Sequence, residues 1–230
     1  MADLRDENAP PPLPPRASGP RADAARGAPE PCHDTRRPGP EAADRGDATA
    51  VARLVKAGAD IRERDKRGRT ALLAATHARA AEAARLLIEA GADVNAKDGI
   101  DDSPYLYAAA EGPVEILRLT LAAGADLKSV NRYGGTGLIP AAHHGHVENV
   151  RELLKTTIAV DHVNRLGWTA LLEAVILGDG GARHTEIVRL LLQGGANPSL
   201  PGRDGKTPLA HARAMGQASV VKLLEAAGAR

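Results

Sequence analysis

Three clustered histidines are the first residues of this sequence whose type and spacing could support chemistry. His143, His144 and His146 stand within four positions of one another, and imidazole nitrogens are common metal ligands. Adjacent side chains on a helix point about 100° apart, so His143 and His144 are poorly placed to bind one ion. No cysteine or carboxylate cluster accompanies them, as a zinc site usually requires. The sequence therefore predicts no metal site.

Glu173 is the carboxylate that would form an acid–base pair with His143 or His144 if the fold joined them. We expect instead that these are solvated charges at the rim of a surface. The sequence has no G-x-S-x-G elbow, P-loop, H-E-x-x-H motif or Cys/His pair. The glycine-rich Asp179-Gly180-Gly181 joins two helical patterns and follows no strand, so no phosphate site is expected there. We predict that the protein is not an enzyme and requires no cofactor.

Composition narrows the class of protein further. The 230 residues include 30 Lys and Arg against 29 Asp and Glu, and this net charge of +1 argues against a general nucleic-acid binder. No apolar run approaches the ~20 residues of a membrane-spanning helix, and the single cysteine excludes an internal disulfide. Aromatic residues make up 2% of the chain, which favours closely packed helices with small aliphatic side chains. We predict a helical, cytoplasmic protein that binds neither nucleic acid nor membrane.

The first part of the chain differs sharply from the rest. Ten of the sixteen prolines lie in residues 1–40, among Arg, Asp, Glu and Gly. Such a segment has too little apolar surface to offset the entropy lost on ordering, so we predict a disordered tail over residues 1–39. Pro11-Pro12-Leu13-Pro14-Pro15-Arg16 has the PxxPxR form of a polyproline ligand, although a low-complexity tail is the favoured interpretation. The sequence leaves open whether this tail has a function or results from a translation start assigned too far upstream.

The elements that must position the histidines and Glu173 follow a repeat that begins near residue 41. Its landmark is Gly-Ala-Asp or a close variant, and the first three landmark glycines lie 33 residues apart. The last two have the same spacing, whereas the interval from Gly124 to Gly195 contains one repeat of 33 and one of 38 residues. Five additional residues therefore lie in the fifth repeat, around Asp179–Arg183. The landmark glycines are Gly58, Gly91, Gly124, Gly195 and Gly228.

Other positions recur in the same register. A hydroxyl side chain suited to capping a helix N-terminus is followed by an apolar column and an alanine column, where small side chains allow helices to pack closely. The hydroxyl column is Thr70, Ser103, Thr136, Thr169 and Thr207; the apolar column is Leu72, Tyr105, Leu138, Leu171 and Leu209; and the alanine column is Ala75, Ala108, Ala141, Ala174 and Ala212. The recurrence predicts two helices in each repeat.

This pattern resembles the ankyrin repeat. The family motif T-P-L-H-x-A-A-x-x-G-H appears as Thr207-Pro208-Leu209-Ala210-His211-Ala212, and Gly145-His146 supplies its closing pair. More narrowly, residues 131–138, 167–174 and 178–181 resemble a bacterial ankyrin group typified by YahD. The resemblance covers about residues 40–230 and implies an all-α solenoid with β-turn fingers. We expect about six repeats, the first one truncated, at residues 40–64, 65–97, 98–130, 131–163, 164–201 and 202–230.

Three departures from the pattern carry structural expectations. Pro38 and Pro40 lie where the first helix should run, which leaves a short helix around Glu41–Arg45 before Val51–Lys56. Asp101 replaces the turn glycine of the third repeat, so a more mobile finger is expected there. Gly137 falls in the first turn of a helix and is expected to weaken its start.

Ankyrin stacks bind partners through a concave surface, so the resemblance implies a groove formed by the finger loops and the exposed side of each repeat's first helix. The single Trp and two of the three Tyr fall on this predicted groove, and aromatic and Arg side chains are common interface anchors. An apolar centre of Tyr107, Tyr133, Trp168, Ile176 and Leu177 is expected, surrounded by Glu111, Arg132, His143, His144, Arg165 and Glu173. By register, Ile100, Leu166 and Met215 also belong to the groove.

The resemblance and the groove together predict a monomeric, non-enzymatic scaffold or regulator that binds a partner protein. The alternative is a small-molecule sensor or weak enzyme that uses Trp168, Glu173 and the Asp179–Arg183 insertion. A third interpretation gives Tyr107 and Trp168 a purely structural role. In it, the two side chains only pack over helix ends in a stack that has few bulky residues.

Overall fold

The computed structural model describes residues 39–230, which form twelve α-helices and, over those residues, no strand beyond one isolated bridge between Arg64 and Thr70. The predicted tail, apart from Gly39, lies outside the described residues. The architecture confirms the all-α class, and none of the twelve helices is long and apolar enough to cross a membrane. The helices are α1 (Pro40–Asp44), α2 (Ala48–Lys56), α3 (Ala71–His77), α4 (Ala81–Glu89), α5 (Pro104–Glu111), α6 (Val114–Ala122), α7 (Leu138–His143), α8 (Val147–Leu154), α9 (Ala170–Ile176), α10 (Ala182–Gln193), α11 (Pro208–Ala214) and α12 (Ala218–Ala226).

The helices stack in two layers. Each odd-numbered helix from α1 to α9 packs against the next odd-numbered one, and the even-numbered helices do the same. We call the odd-numbered helices, which follow the finger loops, the inner layer, and the even-numbered helices the outer layer. All residues of the alanine column and the apolar column are buried. Each repeat therefore buries its apolar face against its neighbours, as a solenoid requires.

Hydroxyl side chains begin four of the inner helices, as predicted. Each accepts a hydrogen bond of 3.2–3.3 Å from the backbone N–H three residues later; the four are Thr70, Ser103, Thr169 and Thr207. The expectation is wrong for Thr136, whose Oγ1 is buried and has no hydrogen-bond partner among the described residues. There Gly137 has helical φ and ψ, the N–H of Ile139 closes a tight turn on the Thr136 carbonyl, and the regular helix α7 begins at Leu138, one residue later in the repeat than the other four.

The first described repeat begins with a short helix. α1 starts at Pro40, one residue ahead of the expected position, and proline suits this first helical position because its missing N–H has no helical partner. α2 starts at Ala48 and is also longer than expected. The buried Arg69 of the second repeat ties α1 to the rest of the stack, since it donates to Asp44 at 2.9 Å and to Asp65 at 2.7 Å.

Four of the finger loops close on one side-chain oxygen. In the third repeat, Asp98 Oδ1 accepts the backbone N–H groups of Ile100 at 2.9 Å and Asp102 at 3.0 Å. The same pair of bonds is accepted in the other three fingers by Asp65, Asn131 and Asn164. Asp101 has a φ of +65°, the left-handed conformation that Gly134 adopts in the next finger. The third finger therefore keeps the hydrogen bonds of its neighbours and holds a non-glycine residue at a strained position.

Candidate functional site

The finger loops carry a row of exposed apolar side chains. Ile100, Tyr133 and Leu166 occupy the same position of three consecutive fingers and are 53%, 47% and 50% exposed. We call these three residues the fingertip row. The backbone N–H of each is held by the side-chain oxygen that closes its finger. The tips are therefore fixed in the backbone while their side chains extend into solvent.

Arginine side chains connect one finger to the next. Arg165 Nη1 donates to the carbonyl of Arg132 at 2.8 Å, and Arg203 Nη2 donates to the carbonyl of Arg165 at 2.7 Å. The Arg132 guanidinium lies 5.0 Å from the centre of the Tyr133 ring and 3.6 Å from Asp102 Oδ2. Over residues 39–230, neither Arg165 nor Arg203 forms an ion pair with a carboxylate. Neutral carbonyls therefore hold these two positive charges in place beside the fingertip row.

Glu173 is buried, so the expectation of a solvated rim charge is wrong. Its side chain lies in the first turn of α9 and the residue is only 5% exposed; side chains of a helix point back toward the preceding segment. Oε1 accepts a 2.7 Å hydrogen bond from Nδ2 of Asn164, the buried residue that closes this finger. Loss of water around the carboxyl raises the pKa of Glu173 to about 7, although the Asn164 hydrogen bond opposes this effect.

The structure brings His143 of the neighbouring helix α7 to this carboxyl. His143 Nδ1 lies 3.6 Å from Glu173 Oε2. Burial, together with nearby His144 and His184, lowers the pKa of His143 to about 4. Burial therefore disfavours the charged form of both groups. The two groups of a possible acid–base pair do meet, but the carboxyl is closed off from solvent.

The other two clustered histidines join the third and fourth repeats. His144 Nδ1 lies 2.6 Å from the carbonyl oxygen of Ala110. The His146 ring packs on Gly112 so closely that a Cβ on Gly112 would come within 2.7 Å of it. In the part of the chain that the structure describes, no group of three or more His, Cys, Asp or Glu side chains is arranged to hold a metal ion.

Tyr107 and Trp168 are half-buried at the junctions between repeats. The Tyr107 ring stacks on His77 of the preceding repeat, with ring centres 3.7 Å apart. The Trp168 indole lies over Gly202 of the following repeat, 3.5 Å from the position that a Cβ would take there. Both rings therefore fill space between repeats while part of each remains accessible.

The remaining predicted groove residues lie at the ends of inner helices or on the fingers. Ile176 and Glu111 are half-buried at the last positions of α9 and α5, and Leu177 is exposed directly after α9. Arg132, Arg165 and Tyr133 are exposed on the fingers. The structure thus places exposed apolar and basic side chains at the fingers; of the other groove residues, Glu173 is buried, His144 is exposed, and Tyr107, Trp168 and His143 are half-buried.

The five-residue insertion lengthens the second helix of its repeat, since α10 has twelve residues. Asp179 Oδ1 accepts the N–H of Gly181 and lies 2.9 Å from Nδ1 of His184. Nε2 of His184 lies 3.0 Å from the carbonyl oxygen of His143 in the preceding repeat. The insertion is therefore held by contacts within the stack, and Asp179 is engaged with His184.

The sequence pattern did not identify Asn164 and His184 as part of this site. Register alone places Asn164 at the base of a finger, but it does not show that its amide also reaches Glu173. His184 stands 38 residues after His146, the length of the repeat that carries the insertion. This spacing indicates that the two histidines occupy equivalent positions. Both rings pack against a glycine of the preceding repeat, Gly112 for His146 and Gly145 for His184.

Known proteins share this repeat. A family model described as ankyrin repeats (three copies) matches residues 41–98 and 105–200. Over 57 residues, or 25% of this chain, the sequence is 51% identical to the ankyrin repeat protein YahD of Escherichia coli (strain K12). That match spans 28% of the length of YahD.

Solved structures are similar over most of their length. A crystal structure of an ankyrin repeat domain from Acinetobacter baumannii AYE has a TM-score of 0.80 and 56% sequence identity, covering 83% of this chain and 97% of its own. For the ankyrin repeat protein EF0377 the TM-score is 0.78 and the identity 40%, with 80% and 94% covered. For the ankyrin repeat domain of Bcl-3, a member of the IκB protein family, the TM-score is 0.75 and the identity 28%, with 86% and 89% covered.

Proposed function

Because the chain belongs to the ankyrin-repeat family, whose repeats are generally protein–protein interaction modules, we propose that it is a non-enzymatic scaffold or regulator. It binds a partner protein through the predicted groove of repeats three to five, as a monomer in the cytoplasm. The groove residues are Tyr107, Glu111, Arg132, Tyr133, His143, His144, Arg165, Trp168, Glu173, Ile176 and Leu177. Of these, the buried Glu173 supports the surface from beneath, and the exposed and half-buried residues contact the partner.

The positions of exposed apolar side chains carry this proposal. Six large hydrophobic side chains in residues 39–230 are exposed, and five of them occupy positions of the predicted groove. Scattered exposed hydrophobic residues are ordinary, but their concentration on one surface is typical of a binding site. The five are Ile100, Tyr133, Leu166, Leu177 and Met215.

The burial of Glu173 argues against the alternative of a small-molecule sensor or weak enzyme. A catalytic acid or base must come within hydrogen-bond reach of the proton that it transfers. Glu173 is instead enclosed and bonded to Asn164, and Asp179 of the insertion is engaged with His184. Glu173 and Asp179, which a sensor or enzyme would need at its site, therefore contribute to the packing of the fifth repeat.

Affinity purification with a matched pair of variants tests the proposal. Leu177→Glu places a charge in the groove, whereas Ala122→Glu places the same charge at an exposed position of the outer helix α6. A partner that binds through the groove should be recovered by the wild type and by Ala122→Glu, and lost by Leu177→Glu. Both substitutions are at exposed positions, so melting curves of the three proteins should be similar.

Two outcomes would refute groove binding. One is equal recovery of every captured protein by the wild type and both variants. The other is the absence of a protein partner combined with a metabolite that stabilises the purified chain by several kcal/mol, an effect that indicates tight small-molecule binding. The second outcome would favour the sensor alternative.

A further inference from the structure

The fingertip row repeats with the period of the solenoid. Its three residues are 33 positions apart, and each lies on the finger that leads into an inner helix packed against the next inner helix. Helices packed side by side lie about 8–10 Å apart, so Ile100, Tyr133 and Leu166 present apolar side chains at about that interval. A partner that contacts all three must bring an apolar side chain to one face at the same interval.

The surface beside the Leu166 end of the row is positively charged. Arg165 and Arg203 each donate a hydrogen bond to a backbone carbonyl, and within residues 39–230 neither forms an ion pair with a carboxylate. The Ile100 end carries carboxylates, because Asp101 is exposed next to Ile100 and Asp102 lies 3.6 Å from the Arg132 guanidinium. The surface offered to a partner is therefore apolar along the row and basic at its Leu166 end, which complements a segment with acidic residues at that end.

We propose that the fingertip row binds an extended acidic segment of the partner protein, in the polyproline II conformation, with an apolar residue at every third position. This inference rests on the proposed function and specifies the chemistry of the partner. A polyproline II helix has three residues per turn and rises about 3.1 Å per residue, so it returns a side chain to one face about every 9 Å. Its apolar residues contact Ile100, Tyr133 and Leu166, and the carboxylates that flank the residue on Leu166 face Arg165 and Arg203.

Other regular conformations match the row less well. A β-strand returns a side chain to one face about every 7 Å, so it falls out of step with the fingers after one repeat. An α-helix is about 10 Å wide and presents a continuous stripe of side chains with a pitch of about 5.4 Å. Single protruding fingertips would contact only a small part of such a stripe. A proline-rich segment also has less conformational entropy to lose on binding, because its extended form is already populated when free.

Synthetic peptides test this inference on the full chain. The probe is a fluorescein-labelled peptide of twelve residues that repeats Leu-Asp-Pro. One control repeats Leu-Lys-Pro, which keeps the period and reverses the charge; a second repeats Leu-Asp-Pro-Pro, which keeps the acidic charge and changes the period. Fluorescence anisotropy should show that the probe binds at least about fivefold more tightly than either control. Added salt should weaken its binding, because exposed charges are screened.

Variants of the protein locate the binding surface. Leu166→Ser removes one member of the row, and Val163→Ser makes a similar change at an equally exposed position outside the row. Leu166→Ser should weaken binding of the probe about fivefold, and Val163→Ser should leave it unchanged. Arg203→Gln should weaken binding and its salt dependence, whereas Arg203→Lys keeps the charge and should retain most of the affinity.

The results separate this inference from the proposed function. Equal binding of the three peptides, no binding of any of them, or equal losses for Leu166→Ser and Val163→Ser would overturn the inference. If a purified partner is lost by Leu177→Glu but retained by Leu166→Ser, groove binding stands and the fingertip inference fails. If neither variant affects the partner, the proposed function itself is wrong.

Discussion

The hydroxyl oxygen of Tyr105 lies 2.9 Å from the point at which a Cβ on Gly137 would stand. Tyr105 is fully buried in a column that holds leucine in the other four repeats. The sequence predicts only that Gly137 weakens the start of α7. The structure shows that the missing side chain of Gly137 makes room for the phenol of the preceding repeat. The weak helix start and the bulky core residue are therefore one adaptation.

Gly137→Ala should lower the free energy of unfolding by about 1–3 kcal/mol, although alanine is the better helix former. The added methyl group would meet both the Tyr105 hydroxyl and the Cβ of Ala109, which lies 3.0 Å from that point. Urea denaturation measures the change. Tyr105→Leu should remove most of the clash, so the double variant should be more stable than Gly137→Ala alone. Additive effects of the two substitutions would contradict this packing.

The repeat register predicts what is common to all repeats, because the same local chemistry recurs. The alanine column is buried, and four hydroxyl residues cap inner helices at the expected positions. The register does not predict contacts in which two repeats deviate together. Gly137 beneath Tyr105 is of this kind, and the contact of His184 with Asp179 likewise exists only because their repeat carries an insertion. Each of these residues looks unfavourable or incidental until its partner in space is known.

The candidate site was predicted less fully than the fold. The exposed fingertips follow from register, since Ile100, Tyr133 and Leu166 share one position of the repeat. The burial of Glu173 does not, because it depends on Asn164 from its own finger and His143 from the preceding helix of the inner layer. A charged residue typically lies on the surface, and only three-dimensional contacts show this exception.

Ala141 tests the close packing of the inner layer. It is completely buried, so Ala141→Leu should destabilise the protein by about 1–3 kcal/mol through overpacking. Lys66→Ala, at an exposed finger position, is the control and should stay within about 0.5 kcal/mol of the wild type. Chemical denaturation compares the two. Similar tolerance at both positions would mean that the alanine column is not where helices approach closely.

The burial of Glu173 predicts a pH-dependent stability. Its pKa is about 7 in the folded protein against an ordinary value of 4.5, so between these values the folded state keeps a proton that the unfolded chain has lost. The contribution of Glu173 to the free energy of unfolding should therefore fall as the pH rises from 4.5 to about 7. The variant Glu173→Gln has no carboxyl to titrate at this position. Its free energy of unfolding should therefore rise, relative to that of the wild type, by up to about 3 kcal/mol as the pH changes from acidic to mildly alkaline.

His143 acts in the opposite direction, so its contribution must be removed from the comparison. Its pKa is lowered from 6.5 to about 4, so protonation favours the unfolded chain and this contribution to stability rises with pH over that range. Because His143 Nδ1 lies 3.6 Å from Glu173 Oε2, the two groups titrate as a pair, so Glu173 and Glu173→Gln are compared in a His143→Gln background, where the difference between the profiles isolates the carboxyl. Thermal melting in a series of buffers gives the two profiles. Parallel curves would contradict the buried, protonated state of Glu173.

Exchanging aspartate and glycine at the left-handed position should have opposite effects on stability in the third and fourth fingers. Asp101→Gly should raise stability by up to about 1 kcal/mol, because glycine adopts a positive φ without the steric cost that other residues meet. Gly134→Asp in the next finger should be destabilising, because a Cβ there would also lie 2.8 Å from Cγ of Arg165. Melting temperatures of the two variants provide the measurement. A loss of stability in Asp101→Gly would show that the aspartate makes a contact that outweighs its backbone strain.

Trp168 tests whether an aromatic ring that fills the space between repeats also anchors the partner. Its indole packs on Gly202, and part of the residue remains accessible. Trp168→Ala should therefore cost about 2 kcal/mol or more of partner affinity, as central aromatic residues of interfaces do. It should cost less stability than the 3–5 kcal/mol typical of truncating a fully buried aromatic residue.

Tyr133→Ala provides the comparison that separates binding from packing at Trp168. Tyr133 is exposed on the adjacent finger, so its removal should weaken binding with little change in the melting temperature. If one element of the partner contacts both rings, the losses of affinity in the double variant should be non-additive. Calorimetry with the purified partner, beside a melting curve for each variant, measures both effects. If Trp168→Ala unfolds much of the protein while its folded fraction binds as the wild type does, Trp168 is a core residue and the proposed groove loses its centre.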